Sequence, residues 1–151
     1  MKKVLVAILF LFSTAALAQD YMLLPIVKVH DGDTIKTDLT WRLPAPLNTM
    51  SIRIGGIDTP EMPAASYATT GKLSRAKCDK EALLALKAKE RVKEIVGTNT
   101  RMKVTEFKWG KYGGRMIAKV SVGGVEIEKT LLSEGIAVEN HGTGVKQEWC
   151  Q

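Results

Sequence analysis

Short apolar segments separated by turn residues make up most of the chain. Five of them are rich in β-branched or alternating apolar residues and are bounded by glycine, proline or aspartate, which is typical of β-strands. These five predicted strands are residues 21–29, 34–37, 50–57, 101–107 and 116–122. Asp31-Gly32-Asp33 stands between the first two and predicts a hairpin turn, because Asp-Gly favours tight turns.

One long segment has a helical period instead. Apolar residues fall on one side of a helical wheel over residues 79–96, and charged residues fall on the other side. The apolar side comprises Leu84, Ala85, Ala88, Val92, Ile95 and Val96. Gly97 suits the C-cap of this helix. A second, shorter helix is predicted over residues 127–133, and it ends near Gly135.

The order of these elements indicates a fold class. Five short strands with a long helix between the third and the fourth predict an α+β, mainly β fold. We expect a five-stranded, closed barrel of the oligonucleotide-binding (OB) type, with one long and one short packed helix.

The first eighteen residues have the pattern of a signal peptide. Lys2 and Lys3 precede an apolar run, and Ala16-Leu17-Ala18 forms a small-x-small cleavage site. The apolar run is too short for a transmembrane helix. We therefore expect residues 1–18 to be removed and residues 19–151 to form a single domain, which is exported and is periplasmic or secreted. An uncleaved anchor is the alternative interpretation.

Charge and cysteine content add only a little evidence about the function and location of the protein. The formal net charge is +6, which is compatible with a polyanionic partner without requiring one. Export would place Cys78 and Cys150 in an oxidising compartment, where a cysteine pair usually forms a disulfide. Such a bond would connect the start of the long helix to the chain end; two unpaired thiols are the alternative.

Three clusters of residues have the chemistry of a reactive site. Asp31-Gly32-Asp33-Thr34 offers the oxygen ligands that hard cations such as Ca²⁺ prefer. Residues 53–61 place Arg53 within a strand, Asp58 at its end and Glu61 just after a proline. Residues 111–115 combine cations, a tyrosine and two glycines, which suits phosphate capture. Each cluster taken alone also fits an ordinary turn or a solvated charge.

Together, the three clusters provide acids for a cation, an acid for a base and two guanidinium groups. This is the set that phosphodiester hydrolysis requires. In their order and spacing, Asp31-Gly32-Asp33-Thr34, residues 53–61 and residues 111–115 resemble the staphylococcal-nuclease (thermonuclease) family. The resemblance extends from about Val27 to Ala137, and it implies the OB-type fold.

The resemblance implies a calcium site. Asp33 and Asp58 would bind Ca²⁺ through their carboxylates, and Thr59 would add its backbone carbonyl. Asp31 would lie near the metal without being a direct ligand.

The resemblance also implies catalytic and substrate-binding roles. Glu61 would act as the general base on the attacking water. Arg53 and Arg115 would hold the scissile phosphate and stabilise the charge of the transition state. Lys111 and Tyr112 would bind another phosphate of the substrate.

The expected function is that of a thermonuclease-type endonuclease. It would be a calcium-dependent hydrolase that cuts DNA, RNA or both on the 5′-oxygen side and leaves 3′-phosphate ends. The mature protein is expected to be a monomer that does not associate with a membrane. The alternative is a barrel that binds single-stranded nucleic acid without cutting it.

Two points remain open in the sequence. The turn before Arg115 has one glycine more than the type enzyme of the family, so Arg115 either moves along its strand or a bulge absorbs the extra residue. The basic residues Lys72, Arg75 and Lys77 either follow a phosphate backbone or form a solvated face.

Overall fold

The computed structural model describes residues 20–40, 44–45, 48–111, 113–140, 142 and 147–151. The predicted signal peptide and Tyr112 therefore lie outside the described residues. The described elements are β1 (Tyr21–Pro25), β2 (Lys28–Val29), β3 (Thr34–Asp38), β4 (Thr49–Ile54), β5 (Ile57–Asp58), α1 (Tyr67–Thr70), α2 (Asp79–Val96), β6 (Arg101–Trp109), β7 (Arg115–Val122), β8 (Val125–Glu126), α3 (Ile127–Ser133) and β9 (Val138–Glu139). The predicted α+β, mainly β class is confirmed.

The main sheet is open, whereas the sequence predicted a closed barrel. Among the described residues, its strands are ordered β1-β6-β7-β4-β3-β2, with β8 attached to β7. The two outer strands, β1 and β2, are halves of the single strand predicted over residues 21–29. Pro25 has no N–H to donate to a ladder, and after it the chain leaves β6 and pairs with β3 instead. The ladder therefore begins and ends with the two halves of one segment.

The long helix α2 has the predicted bounds, and Gly97 is its C-cap as predicted. Its buried face includes Ala85, Ala88 and Val92, and the last two belong to the hydrophobic core. The short helix α3 also matches its prediction. The single turn α1 was not predicted, because its residues have no apolar face and none of them is buried.

The strands β6 and β7 form a hairpin that determines where Arg115 lies. The register of the pair shifts between Thr105 and Lys108, so β6 contains one residue more than β7 over this stretch. Glu106, within the shift, has a φ of 49°, the left-handed conformation that is typical of a bulge. A bulge is therefore present in β6, and Arg115 is the first residue of β7, opposite Ser51 of β4.

The core lies between the sheet and the two longer helices. Its largest fully buried side chains include Ile35, Ile52, Ile54, Ile127 and Leu131, which come from β3, β4 and α3. None of the described helices combines the length and the apolar character needed to cross a membrane.

A disulfide joins Cys78 and Cys150, as the sequence predicted, with a Cα–Cα distance of 6.0 Å. Cys78 is the N-cap of α2. An ion pair between Lys77 Nζ and Glu148 Oε2 (3.0 Å) reinforces the link. The chain end is thereby attached to the start of the long helix.

Candidate active site

The hairpin turn between β2 and β3 positions the first acidic cluster. The His30 N–H donates to the Thr34 carbonyl (2.9 Å) and closes the turn. Within it, the Asp33 N–H donates to Asp31 Oδ1 at 3.2 Å. Asp31 therefore stabilises the turn conformation that carries Asp33, which turns inward and is only 4% exposed.

The guanidinium of Arg53 joins the two acidic clusters. Arg53 Nη1 donates to Asp33 Oδ1 at 2.8 Å, and Arg53 Nη2 donates to Asp58 Oδ1 at 2.9 Å. Its side chain is 26% exposed. A partly buried arginine needs an anionic partner. Arg53 has two such partners, one from each cluster.

A second, two-stranded sheet positions Asp58. Strand β5, which contains Asp58, pairs with β9, and Asp58 lies opposite Val138. Strand β9 was not predicted, because two residues are too few to show a period. The pairing fixes the backbone of Asp58 before Pro60 turns the chain.

Burial changes the acidity of Asp33. Desolvation raises the pKa of the Asp33 carboxyl to about 6, although the positive charge of Arg53 opposes the rise. The neighbouring negative charge of Asp31 adds to it. The positive charge of Arg53 therefore does not fully offset the cost of keeping the buried Asp33 carboxylate ionised.

Glu61 lies in the segment that follows this turn. Its side chain is partly exposed, and Glu61 Oε2 is 3.4 Å from Arg75 Nε. Its backbone N–H donates to Glu81 Oε1 at 3.2 Å. Glu61 is therefore fixed at its backbone, and an arginine lies beside its carboxylate.

These residues line one open cavity of about 300 Å³. Arg115 also lines it, because it shares a face of the sheet with Arg53: Arg115 pairs with Ser51, two residues before Arg53 on β4. The cavity is lined by Asp31, Asp33, Thr34, Arg53, Asp58, Thr59, Pro60, Glu61, Met62, Arg75 and Arg115. The exposed Lys111 is not among its lining residues.

The residues of the cavity suit a hard cation only in part. No group of three or more His, Cys, Asp or Glu side chains that could hold a metal ion occurs in the described part of the chain. Two carboxylates do converge on Arg53, and Arg53 contacts only Oδ1 of each. Oδ2 of Asp33 and of Asp58 receives no hydrogen bond from a described residue. A cation bound here would complete its shell of six to eight oxygens with backbone carbonyls and water.

Comparison with protein families agrees with this geometry. The family model described as staphylococcal nuclease homologue matches residues 51–148, which is more than half of the chain. The chain belongs to the staphylococcal nuclease homologue family. The matched region contains Arg53, Asp58, Glu61 and Arg115, whereas the acidic turn at Asp31 and Asp33 precedes it. No curated protein matches the chain.

Membership of the staphylococcal nuclease family indicates a nuclease-type or nucleic-acid-binding function. Of the site residues expected from the sequence, the structure brings seven together in the lining of the cavity: Asp31, Asp33, Arg53, Asp58, Thr59, Glu61 and Arg115. Lys111 is not part of this lining, and Tyr112 lies outside the described residues.

The sequence analysis missed two residues of this region. Arg75 was considered only as part of a basic loop, because the path of that loop cannot be read from its composition. Glu81 was not considered, although a signal exists: with Ala85, Ala88 and Val92 it follows the helical spacing of the buried face.

Proposed function

We propose that this protein is a calcium-dependent phosphodiesterase that cuts DNA, RNA or both and leaves 3′-phosphate ends. The observation that carries the proposal is the convergence of four acids and three arginines in one open, solvent-accessible cavity. Family membership supports it, since the family consists largely of nucleases and typically uses calcium.

Asp33 and Asp58 would hold the cation with their Oδ2 atoms, and the backbone carbonyl of Thr59 would be a further ligand. The bound ion would supply charge neutralisation of the phosphate and an acidified water. The acidic turn and the end of β5 would thus each supply one carboxylate ligand. Arg53 holds both carboxylates in a fixed orientation.

Arg53 and Arg115 would bind the scissile phosphate. Both line the cavity from adjacent, hydrogen-bonded strands. A guanidinium donates two parallel hydrogen bonds to phosphate oxygens, and it keeps its charge as the negative charge of the transition state develops. Two arginines on rigid strands therefore suit the five-coordinate transition state better than flexible lysines would.

Glu61 would accept the proton of the attacking water. It lines the cavity, and its side chain is 32% exposed, so water has access to its carboxylate.

The disulfide supports export as part of the proposal. A bond between Cys78 and Cys150 persists in an oxidising compartment and is rare in the cytosol. We infer that the mature protein acts in the periplasm or outside the cell, as a monomer.

The proposal is tested by cleavage of single-stranded DNA, duplex DNA and RNA by residues 19–151, with Ca²⁺ and with chelator. Wild-type protein is expected to cut only with Ca²⁺ and to leave 3′-phosphate ends. Glu61→Gln should lower kcat by about 10²- to 10⁴-fold, since loss of a general base has effects of this size.

The matched control is Glu90→Gln, an exposed glutamate on α2 that pairs with Lys93. It should cut at the wild-type rate. Binding of single-stranded DNA without cutting, unchanged by chelator, would refute the nuclease and favour the non-catalytic binding module.

A further inference from the structure

A buried glutamate lies behind the proposed active site without lining its cavity. Glu81 is in the first turn of α2 and is only 3% exposed. Glutamate is rarely buried to this extent unless hydrogen bonds compensate for the loss of water. The contacts of its carboxylate therefore indicate why it is retained there.

The Glu81 carboxylate accepts hydrogen bonds from both ends of one loop. Oε1 accepts from the backbone N–H of Glu61 at 3.2 Å. Oε2 accepts from the backbone N–H of Lys77 at 2.7 Å. The loop between these two amides, residues 62–76, is thus closed by a single side chain.

This loop carries groups of the site at its two ends. Glu61 stands at its start, and Arg75, near its end, lies beside the Glu61 carboxylate. Glu81 belongs to a long, well-packed helix. Its two hydrogen bonds therefore attach both ends of the loop to a rigid element. Without Glu81, the backbone N–H of Glu61 would lose its acceptor on α2.

The chain end helps to keep Glu81 buried. Cys150 Sγ lies 4.0 Å from Glu81 Oε2, and the disulfide partner of Cys150 is the N-cap of α2. Lys80 Nζ also donates to the terminal carbonyl of Gln151. The carboxylate is therefore enclosed by the loop on one side and by the disulfide on another.

We propose that Glu81 is a positioning residue, which fixes the backbone of Glu61 relative to the cavity by closing the 62–76 loop. The role in catalysis rests on the proposed nuclease function, whereas the closure of the loop does not depend on it. Glu81 touches neither the substrate nor the cation and acts only through Glu61.

The test is Glu81→Gln, which keeps the shape of the side chain. The amide oxygen still accepts one N–H, but the NH₂ group cannot accept the other, so one end of the loop is released. We expect kcat to fall by about ten- to a hundredfold, since a displacement near 1 Å has effects of this order. KM should stay within about twofold, since the phosphate-binding arginines are untouched.

The matched control is Glu128→Gln. Glu128 is also a mostly buried glutamate in the first turn of a helix, and it pairs with Lys119 away from the loop. It should lower stability without changing kcat. A double variant, Glu61→Gln with Glu81→Gln, should be no slower than Glu61→Gln alone, because Glu81 acts through Glu61. Equal kcat in Glu81→Gln and wild type, or losses that multiply in the double variant, would overturn the proposal.

Hydrogen exchange of the wild-type protein tests the closure without any variant and without activity. The amides of Glu61 and Lys77 should exchange slowly, although both are in loop segments. Exchange at the rate of an open loop would refute the role of Glu81 even if the protein cuts DNA. Slow exchange in a protein that does not cut would leave the closure standing and refute only the nuclease.

Discussion

At the scale of single residues, Arg53 is the centre of the site. Its side chain contacts both acidic clusters, through different nitrogens of one planar group. The orientation of the two Asp carboxylates therefore depends on the forked arrangement of the guanidinium N–H donors, and not only on the positive charge.

The prediction from this geometry is that Arg53→Lys loses cleavage activity although the charge is kept. A lysine ammonium is a compact point charge and cannot reproduce both contacts in their present directions, so kcat/KM should fall by about a hundredfold or more. Arg115→Lys is expected to show a similar loss, because its guanidinium would no longer bind phosphate through two hydrogen bonds.

Steady-state cleavage assays at saturating Ca²⁺ measure these losses. Arg91→Lys is the control, since Arg91 pairs with Glu94 and Glu134 on the exposed side of α2. Near-normal turnover in Arg53→Lys or in Arg115→Lys would contradict the assigned role of that arginine.

Which individual residues could be predicted depended on how local their signal is. Arg53, Asp58 and Glu61 lie within nine consecutive residues, so their spacing alone indicated a shared site. Arg75 and Glu81 reach the same region through a loop whose path no pattern describes. Their roles follow from tertiary contacts, and the composition of the loop could not reveal them.

At the scale of elements, the acidic turn is packed directly against α2. A Cβ on Gly32 would lie 2.8 Å from Ala88 Cβ and 3.1 Å from Thr59 Cβ. Real side chains do not approach so closely. Because position 32 is a glycine, the acidic turn can contact both α2 and Thr59. This contact places Asp33 beside Asp58.

We therefore predict that Gly32→Ala both destabilises the protein and impairs the site. Overpacking of this kind costs about 1–3 kcal/mol of unfolding free energy. The displaced turn would also move Asp33, so cleavage should fall and more Ca²⁺ should be needed.

Urea unfolding and calcium titration of cleavage are the measurements for Gly32→Ala. Gly113→Ala is the matched control for the unfolding measurement, because a Cβ there meets no atom within 4 Å and its φ is not in the left-handed region. If Gly32→Ala is as stable as Gly113→Ala and as active as the wild type, the turn does not depend on this close contact.

The helices and strands also show which features sequence patterns can predict and which they cannot. The bounds of α2 and α3 were predicted correctly because a 3.6-residue period and a terminal glycine are local signals. The open ladder was not predicted, since the exchange of pairing partners at Pro25 depends on where β3 and β6 lie. The position of the bulge in β6 was not predicted either, because it depends on the register with β7.

At the scale of the whole molecule, the disulfide connects the two ends of the second half of the chain. The sequence separation between Cys78 and Cys150 is 72 residues. In the chain-entropy account, closing a loop of this length lowers the entropy of the unfolded chain and stabilises the fold by about 4 kcal/mol.

We predict that removal of this bond lowers the unfolding free energy by about 4 kcal/mol. It should also weaken protection of the Glu61 amide, because Cys150 no longer encloses Glu81. Urea unfolding of oxidised and reduced protein, with hydrogen exchange, measures both effects. A Cys78→Ser, Cys150→Ser variant should be unaffected by reductant. A difference below about 1 kcal/mol between oxidised and reduced wild type would contradict the stabilising role.

The sequence by itself determined the fold class, the two longer helices, the cysteine pair and the residue types of the site. These are properties of local period, of turn chemistry and of composition, so they can be read from neighbouring residues. Tertiary structure alone decided that Arg53 joins Asp33 to Asp58, that Arg115 shares its face of the sheet, and that Glu81 closes the loop after Glu61. Each of these contacts joins segments that are distant in the chain or linked by irregular loops, and their approach depends on strand register and close packing, which local patterns do not specify.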